Sequence, residues 1–292
     1  MLGDLVSYVN KLVAELLSGP IARIACASAL ASVPQAHRSL SLVHPPARDA
    51  FVAFVRALES TDPRGRTRCA GWTVHELTAH LAAGSAELAE LIEVELAGAS
   101  SRPTRALDER EAPYRALSSA RLRRAFFEES LRAAVAVERL LGAEGRRRVP
   151  FTGVPLDAPS LTLHIESELT LHRWDLVGDD ATSVAALSDP RYAVHAATTV
   201  ADMTPNVFPQ RGGQQRTIIL RASGGPDVAV SGGRTTTIRL AADESSCPVV
   251  ECHPAARTLM LWGRTPGNAL PRPAGVPDAV TAVIEMLRPG PA

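Results

Sequence analysis

A glutamate and a histidine lie one helical turn apart near the middle of this 292-residue chain. Glu168 and His172 stand at positions i and i+4, so on an α-helix both side chains point to the same spot. They fall within an apolar stripe, where a polar side chain is costly unless it is paired or binds a metal. Both residue types are zinc ligands. The pattern therefore predicts a metal site or a buried ion pair, and this helix alone leaves both open.

A third candidate ligand, His80, stands on the shoulder of the apolar face of an earlier helical stretch. Taken alone, a histidine at such a position is more often a packed core residue. Two histidines and a glutamate with an open fourth position, however, form a ligand set of catalytic zinc sites. Together with Glu168 and His172, His80 therefore predicts one divalent metal, by preference zinc.

A neighbouring motif resembles a metalloprotease signature but does not fit it. His75 and His80 enclose an H-E-x-x-x-H stretch, one residue longer than H-E-x-x-H. On a helix these two histidines diverge by about 140°, so they do not face one ion. Thr73 and Glu76 instead match a T-x-x-E capping box, which indicates a helix start.

Four helices are expected to position these residues. Apolar spacing, caps and breakers predict them over about 48–59, 73–96, 118–141 and 160–178, with a polar loop between the second and the third. Four helices with modest connections predict a bundle. The segment before residue 46 is an extension to which we assign no function.

The sequence pattern changes after Asp179 to one helix followed by short strands. A helix is predicted over 190–203, and strands over 216–222, 227–231, 234–240 and 248–252, of which the first three form an antiparallel meander because paired glycines separate them. Further helices are predicted over 254–262 and 278–287. The chain is thus predicted to be α+β, with an N-terminal extension (1–45), a metal-binding four-helix bundle (46–180) and a C-terminal α+β domain with an antiparallel sheet (187–290).

Composition bears on partners and location. The 31 basic and 31 acidic residues leave no net charge to attract nucleic acid or an anionic membrane, so we expect neither partner. Lys11 is the only lysine, a bias typical of G+C-rich genomes such as those of actinobacteria. No C-x-x-C is present, and the scattered cysteines indicate reduced thiols in a cytoplasmic protein, which we expect to be a monomer. These cysteines are Cys26, Cys69, Cys247 and Cys252.

Three segments together resemble the mycothiol-dependent maleylpyruvate isomerase family. They are Cys69-Ala70-Gly71-Trp72-Thr73-Val74 with His80-Leu81-Ala82 after it, Glu168…His172-Arg173-Trp174-Asp175, and Leu261-Trp262-Gly263-Arg264. The second matches the family's E-x-x-x-H-R-x-D. The resemblance covers about residues 47–288, and the chain departs from the family in its N-terminal extension and in lacking a signature for any one substrate.

The resemblance implies a DinB-like bundle with zinc on His80, Glu168 and His172, and a sterol-carrier-protein-like C-terminal domain. It also implies mycothiol as the thiol cofactor, and a small electrophile as substrate. The enzyme would be a maleylpyruvate-type isomerase or a thiol S-transferase. Arg264 would be catalytic by binding a substrate carboxylate, or else form an ion pair. Asp175 would orient a metal ligand or form a salt bridge.

Two other functions remain open on the same residues. A zinc hydrolase acting through metal-bound water would use the same three ligands. A non-catalytic protein would use the metal only to brace the bundle, although structural zinc usually has four protein ligands and the sequence offers three.

Overall fold

The computed structural model describes residues 45–69, 71–145, 147–203, 216–233, 236–242 and 245–288. The predicted extension, with Cys26, lies outside these residues apart from Pro45. The chain packs as two units. The first contains the described residues up to Thr67, Trp72–Phe151 and Pro155–Glu168, and the second contains Arg68–Gly71, Thr152–Val154 and the chain from Leu169 onward. The two units divide within one continuous helix, and the domain limits derived from the sequence stay a prediction.

The four helices predicted from apolar spacing are all present. They are α1 (Pro45–Glu59), α2 (Val74–Leu96), α4 (Ser119–Leu141) and α5 (Ala158–Val177). Helices α2 and α4 pack extensively against each other. Leu77 and Leu91 of α2, and Leu122 and Phe126 of α4, are almost entirely buried there. Amphipathic periodicity therefore identified the helices that build this unit.

The predicted polar loop before α4 is wrong over part of its length, because it contains helix α3 (Leu107–Arg115). Glu111 is the buried residue of this helix, so α3 has no apolar stripe that a sequence pattern could detect. Ion pairs fix it instead. Arg102 and Arg105, just before it, both bond to the buried Glu87 of α2, and Arg115 bonds to Glu111 within it.

A short hairpin between α4 and α5 was not predicted either. Strands β1 (Val149–Phe151) and β2 (Val154–Leu156) pair with each other. Thr152 and Gly153 connect them with φ angles of 48° and 86°. Two consecutive left-handed residues match the twist of a two-residue hairpin turn.

Helix α5 is enclosed on more than one side, unlike a helix with a single apolar stripe. Leu161 and Leu169 are buried as predicted, but Leu171 and Trp174 on another face are buried as well. Polar residues are buried among them, so part of the polar surface of α5 lies inside the protein. These buried polar residues are Glu166, Ser167, Thr170, His172 and Asp175.

The second unit contains a five-stranded sheet in the order β5-β4-β3-β6-β7. The predicted meander is confirmed, since β4 pairs antiparallel with both β3 and β5. One pairing departs from the predicted antiparallel sheet: β6 runs parallel to β3, while β7 is antiparallel to β6. The strands are β3 (Arg216–Arg221), β4 (Val228–Gly232), β5 (Thr237–Leu240), β6 (Val249–Glu251) and β7 (Ala274–Gly275).

Helices complete the second unit and confirm the α+β class. The predicted helix at 190–203 is present as α7 (Pro190–His195), a π-helical turn (Ala196–Val200) and α8 (Ala201–Met203). Buried apolar residues of these helices and of the sheet form one core. Among the described residues, no helix is both long and apolar enough to span a membrane. The remaining helices are α6 (Ala181–Leu187), α9 (Pro254–Leu261) and α10 (Pro277–Met286).

Candidate metal centre

Helix α2 positions the first candidate ligand, His80, and begins where the sequence predicts. The hydroxyl of Thr73 accepts a bond from the backbone N–H of Glu76, and the Glu76 carboxylate accepts one from the backbone N–H of Thr73 at 2.7 Å. These bonds lower the pKa of Glu76 despite the opposing effect of burial. Glu76 is therefore a cap. His75 lies near Ser119 and the backbone carbonyl of Arg115, so it does not share a site with His80.

His80 lies between two carboxylates of the first unit. Its Nδ1 is 2.8 Å from Oε1 of Glu111, and its Nε2 is 3.5 Å from Oε2 of Glu168. Burial opposes ionisation of Glu111, but the bonds and charges of His80 and Arg115 outweigh it and lower the pKa of this carboxyl. An ionised Glu111 can only accept, so Nδ1 of His80 donates the proton. In the neutral ring, the Nε2 lone pair then faces Glu168.

Helix α5 carries the other two candidate ligands in one line. Because α5 is continuous, Glu168 and His172 stand one turn apart on the same face, as the sequence predicts. One ligand atom from each of His80, Glu168 and His172 lies within 4.8 Å of the others. The structure therefore brings all three predicted ligands together, while Glu168 keeps 23 % of its side chain exposed.

His172 is oriented by the fully buried Asp175, one turn further along α5. Nδ1 of His172 donates to Oδ2 of Asp175 at 2.8 Å, so in the neutral ring Nε2 carries the lone pair. Burial raises the pKa of Asp175, but the charge of Arg264 and the bond from His172 outweigh it and hold this pKa well below its ordinary value. A histidine whose second nitrogen is bonded to a carboxylate is the usual arrangement around zinc.

The same Asp175 oxygen also accepts from two other residues of the second unit. Nη2 of Arg264 and Sγ of Cys69 each lie 3.0 Å from Oδ2. Asp175 therefore takes both roles left open by the sequence, since it orients His172 and forms an ion pair with Arg264. Arg264 keeps 19 % of its side chain exposed.

Cys69, His172 and Asp175 form a second group with metal-ligating atoms, within 4.8 Å of one another. Nη2 of Arg264 is 3.7 Å from Sγ of Cys69, so a fixed positive charge already lies within this group. A second cation there would be repelled by the guanidinium. We therefore interpret this group as a charge cluster that supports His172.

The other residues of the two motifs make packing contacts, hydrogen bonds or ion pairs within the protein. The ring of Trp72 lies 5.0 Å from the ring of His80. Trp174 is buried, and its Nε1 donates to Asp179 at 2.6 Å. Arg173 forms a bidentate ion pair with Asp180 and keeps only 12 % of its side chain exposed.

Three residues near the first-unit ligands were not identified from the sequence. Glu111 and the adjacent Arg110 lie on α3, the helix that has no apolar periodicity. His164 stands four residues before Glu168, so the line on α5 is His164, Glu168 and His172. That spacing was a usable signal for His164. No pattern in the sequence marks Glu111 as the partner of His80.

The donor set fits zinc. Two imidazoles are fixed through Nδ1 by buried carboxylates, a third carboxylate completes the set, and three protein ligands with one further position are typical of catalytic rather than structural zinc. Among the described residues, no fourth histidine, cysteine or carboxylate joins this group.

Comparison with known proteins agrees with this architecture. Residues 44–177 match the family model described as the mycothiol maleylpyruvate isomerase N-terminal domain. The crystal structure of a mycothiol-dependent maleylpyruvate isomerase has a similar fold, with 18 % identity, a TM-score of 0.54, and coverage of 82 % of this chain and 92 % of that chain. The structure of a histidine-to-alanine mutant of such an isomerase gives a TM-score of 0.53 at the same identity and coverage. No curated protein matches the sequence.

Proposed function

Because residues 44–177 match the family model described as the mycothiol maleylpyruvate isomerase N-terminal domain, we propose that this protein is an enzyme that holds zinc on His80, Glu168 and His172. Its cofactor thiol is mycothiol and its substrate is a small electrophile. The reaction is an isomerisation of the maleylpyruvate type or the transfer of the thiol to the electrophile.

One observation carries the proposal: both histidines are fixed by buried carboxylates through Nδ1. Glu111 holds His80 and Asp175 holds His172, each at 2.8 Å. Each bond selects the tautomer in which Nε2 carries the lone pair, so both His80 and His172 are held in this form. A core histidine needs no such pair of anchors, whereas a metal ligand gains basicity and orientation from each.

A zinc ion bound there would hold a coordinated thiol as thiolate near neutral pH, which is the nucleophilic form. The protein then needs no strong base at this site. Such a thiolate would supply reversible addition to a double bond conjugated with a carbonyl, whose oxygen would accept the electron pair and return it on loss of the sulfur, so that a cis isomer could be converted to the trans isomer. With an electrophile that does not expel the sulfur, the conjugate would be the product.

The remaining residues would bind the substrate and orient the metal ligands. Glu111 and Asp175 keep both imidazole rings in place, and Trp72 packs against His80. Arg264 is our proposed catalytic residue for binding a substrate carboxylate, supported by its partial exposure and its bond to Asp175. We also propose the cytoplasm as the location, because Cys69, Cys247 and Cys252 form no disulfide bond.

A zinc hydrolase is the second candidate, because the same three-ligand arrangement with one further position suits it equally well. The test is to incubate the zinc-loaded protein with mycothiol and a panel of electrophiles that includes maleylpyruvate. We expect a conjugate or a trans product, formed only with zinc and only with thiol. Hydrolysis of esters or amides without thiol consumption would instead support the hydrolase.

A further inference from the structure

Cys69 lies in the second unit, between an ion pair and one of the candidate metal ligands. Its Sγ is 3.0 Å from Oδ2 of Asp175 and 3.7 Å from Nη2 of Arg264. Nδ1 of His172, which donates to the same Asp175 oxygen, lies 4.0 Å from the sulfur. The half-buried thiol therefore contacts the groups that orient His172, and it stands outside the proposed three-ligand set.

Contacts of the neighbouring backbone fix the position of this thiol. The N–H of Arg68 donates to the backbone carbonyl of Asp175 at 2.9 Å. The guanidinium of Arg68 lies 5.4 Å from the ring centroid of Trp174 and fills the space where a side chain at Gly178 would begin. Gly178 also has a φ of 82°, which favours glycine. The loop that carries Cys69 is therefore held against the C-terminal end of α5 by contacts other than those of the thiol.

The ion pair between Arg264 and Asp175 determines which group donates to which. A carboxylate paired with a guanidinium is ionised and can only accept. The thiol of Cys69 therefore donates its proton to Oδ2 of Asp175, while its sulfur accepts from Nη2 of Arg264. Cys69 thus bonds to both partners of the ion pair.

Three donors converge on one oxygen of Asp175. His172, Arg264 and Cys69 reach Oδ2 at 2.8, 3.0 and 3.0 Å, from α5, from the stretch after α9 and from the loop before α2. Oδ1 is buried and has no hydrogen-bond partner among the described residues. The orientation of this carboxylate therefore depends on the bonds to Oδ2, because Oδ1 has no bond that could replace one of them. A residue that holds Asp175 in place also holds His172.

We propose that Cys69 is a positioning residue of the metal centre, whose S–H bond keeps Asp175 in the orientation in which His172 presents Nε2 to the ion. The inference deepens the proposed function and rests on it for the presence of a metal at His172. Cys69 acts through the proton that it donates, so it is neither a ligand nor the nucleophile.

The test is the zinc affinity of the full chain, measured by competition with a chromophoric chelator in a reductant that contains no thiol. Cys69→Val keeps roughly the volume of the side chain but has no donor, whereas Cys69→Ser keeps a donor. Cys247→Val is the control, at a half-buried thiol outside both groups of potential ligands. Thermal scans of each variant with zinc and with EDTA separate an effect on the fold from an effect on the metal centre.

Cys69→Val should weaken zinc binding by about 3–10-fold, the amount expected for one hydrogen bond from a weak donor. Cys69→Ser should stay within about 2-fold of wild type because its hydroxyl can replace the thiol as donor, and Cys247→Val should not change the affinity. The rise in melting temperature on adding zinc should be smaller in Cys69→Val than in Cys69→Ser, since stabilisation by a ligand follows its affinity. A purely structural role would lower both melting temperatures and leave this rise unchanged.

Two results would overturn the inference while the proposed function stands: a zinc affinity of Cys69→Val equal to that of wild type, or a loss in Cys69→Ser as large as that in Cys69→Val. If Cys69→Val binds zinc more weakly and Cys69→Ser does not, but wild-type protein consumes no thiol with any electrophile, the proposed function is wrong and the positioning role stands. A wild-type protein that binds no zinc would overturn both.

Discussion

Nδ1 of His80 lies 2.8 Å from Oε1 of Glu111, a carboxylate with no exposed surface on a helix that the sequence pattern does not reveal. The relation fixes both the orientation and the tautomer of His80. His172 has the same relation to Asp175. Metal affinity should therefore depend on residues that never touch the metal.

Glu111→Gln should weaken zinc binding by about 10–100-fold, because a carboxylate bonded to a ligating histidine contributes on that order. The amide can still accept from His80, but it has no negative charge. Affinity is measured by competition with a chromophoric chelator. Glu109→Gln, at an exposed acidic residue of the same helix, is the control. Equal affinities of the two variants would contradict a supporting role for Glu111.

His172→Ala should remove zinc from the purified protein, because two ligands do not retain the ion against dialysis. The measurement is metal analysis by mass spectrometry. His75→Ala is the matched control, since His75 makes bonds to Ser119 and the Arg115 carbonyl but does not belong to the ligand group. If His172→Ala retained as much zinc as His75→Ala, His172 would not be a zinc ligand, and every zinc function considered requires that it is.

Chelation of the metal should lower the melting temperature of wild-type protein. A ligand at 100 times its Kd stabilises the folded state by about 2.7 kcal/mol, so its loss is measurable in a thermal scan. The melting temperature of His172→Ala should not respond to EDTA or to added zinc. A wild-type protein that melts at the same temperature with and without EDTA would show that no bound metal stabilises the fold.

Glu87 should make stability depend on acid pH. Burial opposes its ionisation, but the bonds from Arg102 and Arg105 outweigh this and lower the pKa of Glu87 from 4.5 to about 2. A carboxyl whose pKa is lower in the folded state stabilises it above the unfolded pKa and loses that effect as pH falls. Its contribution of about 3 kcal/mol should be complete above pH 5 and disappear towards pH 2.

Urea unfolding of Glu87→Gln across this pH range tests the expectation. The variant should be less stable than wild type at pH 7, and the difference should shrink on acidification. Glu90→Gln is the control, because Glu90 contacts the same two arginines but keeps 38 % of its side chain exposed. A pH-independent difference for Glu87→Gln would show that its charge is not the cause.

Arg264→Gln should lower kcat/KM for a carboxylate substrate by about 10–100-fold, the amount expected for one bond between charged groups. Because Arg264 bonds to Asp175 and not to a candidate ligand, zinc content should stay unchanged. Arg239→Gln, at an exposed strand residue, is the control. Unchanged kinetics in Arg264→Gln would exclude the proposed role.

The fold could be predicted from the sequence wherever buried apolar residues recur at a regular spacing. Helices α1, α2, α4 and α5 and the strands of the meander bury apolar residues on a repeating face, so spacing, caps and breakers identified them. Helix α3 and the parallel pairing of β6 with β3 could not be found in that way. Helix α3 is held mainly by ion pairs, which leave no apolar spacing in the sequence. The pairing of β6 depends on which strand of the meander it lies beside, and this is a contact between residues far apart in the chain.

The same distinction applies to the site. The sequence by itself determined that Glu168 and His172 share a face, because helical geometry is local, and that His75 and His80 do not. Asp175 was a candidate partner of His172 for the same reason, since it stands three residues further along the same helix. Only the tertiary structure decided that Glu111 anchors His80 and that Arg264 pairs with Asp175. Each of these two contacts joins residues far apart in the chain, so no local periodicity encodes it.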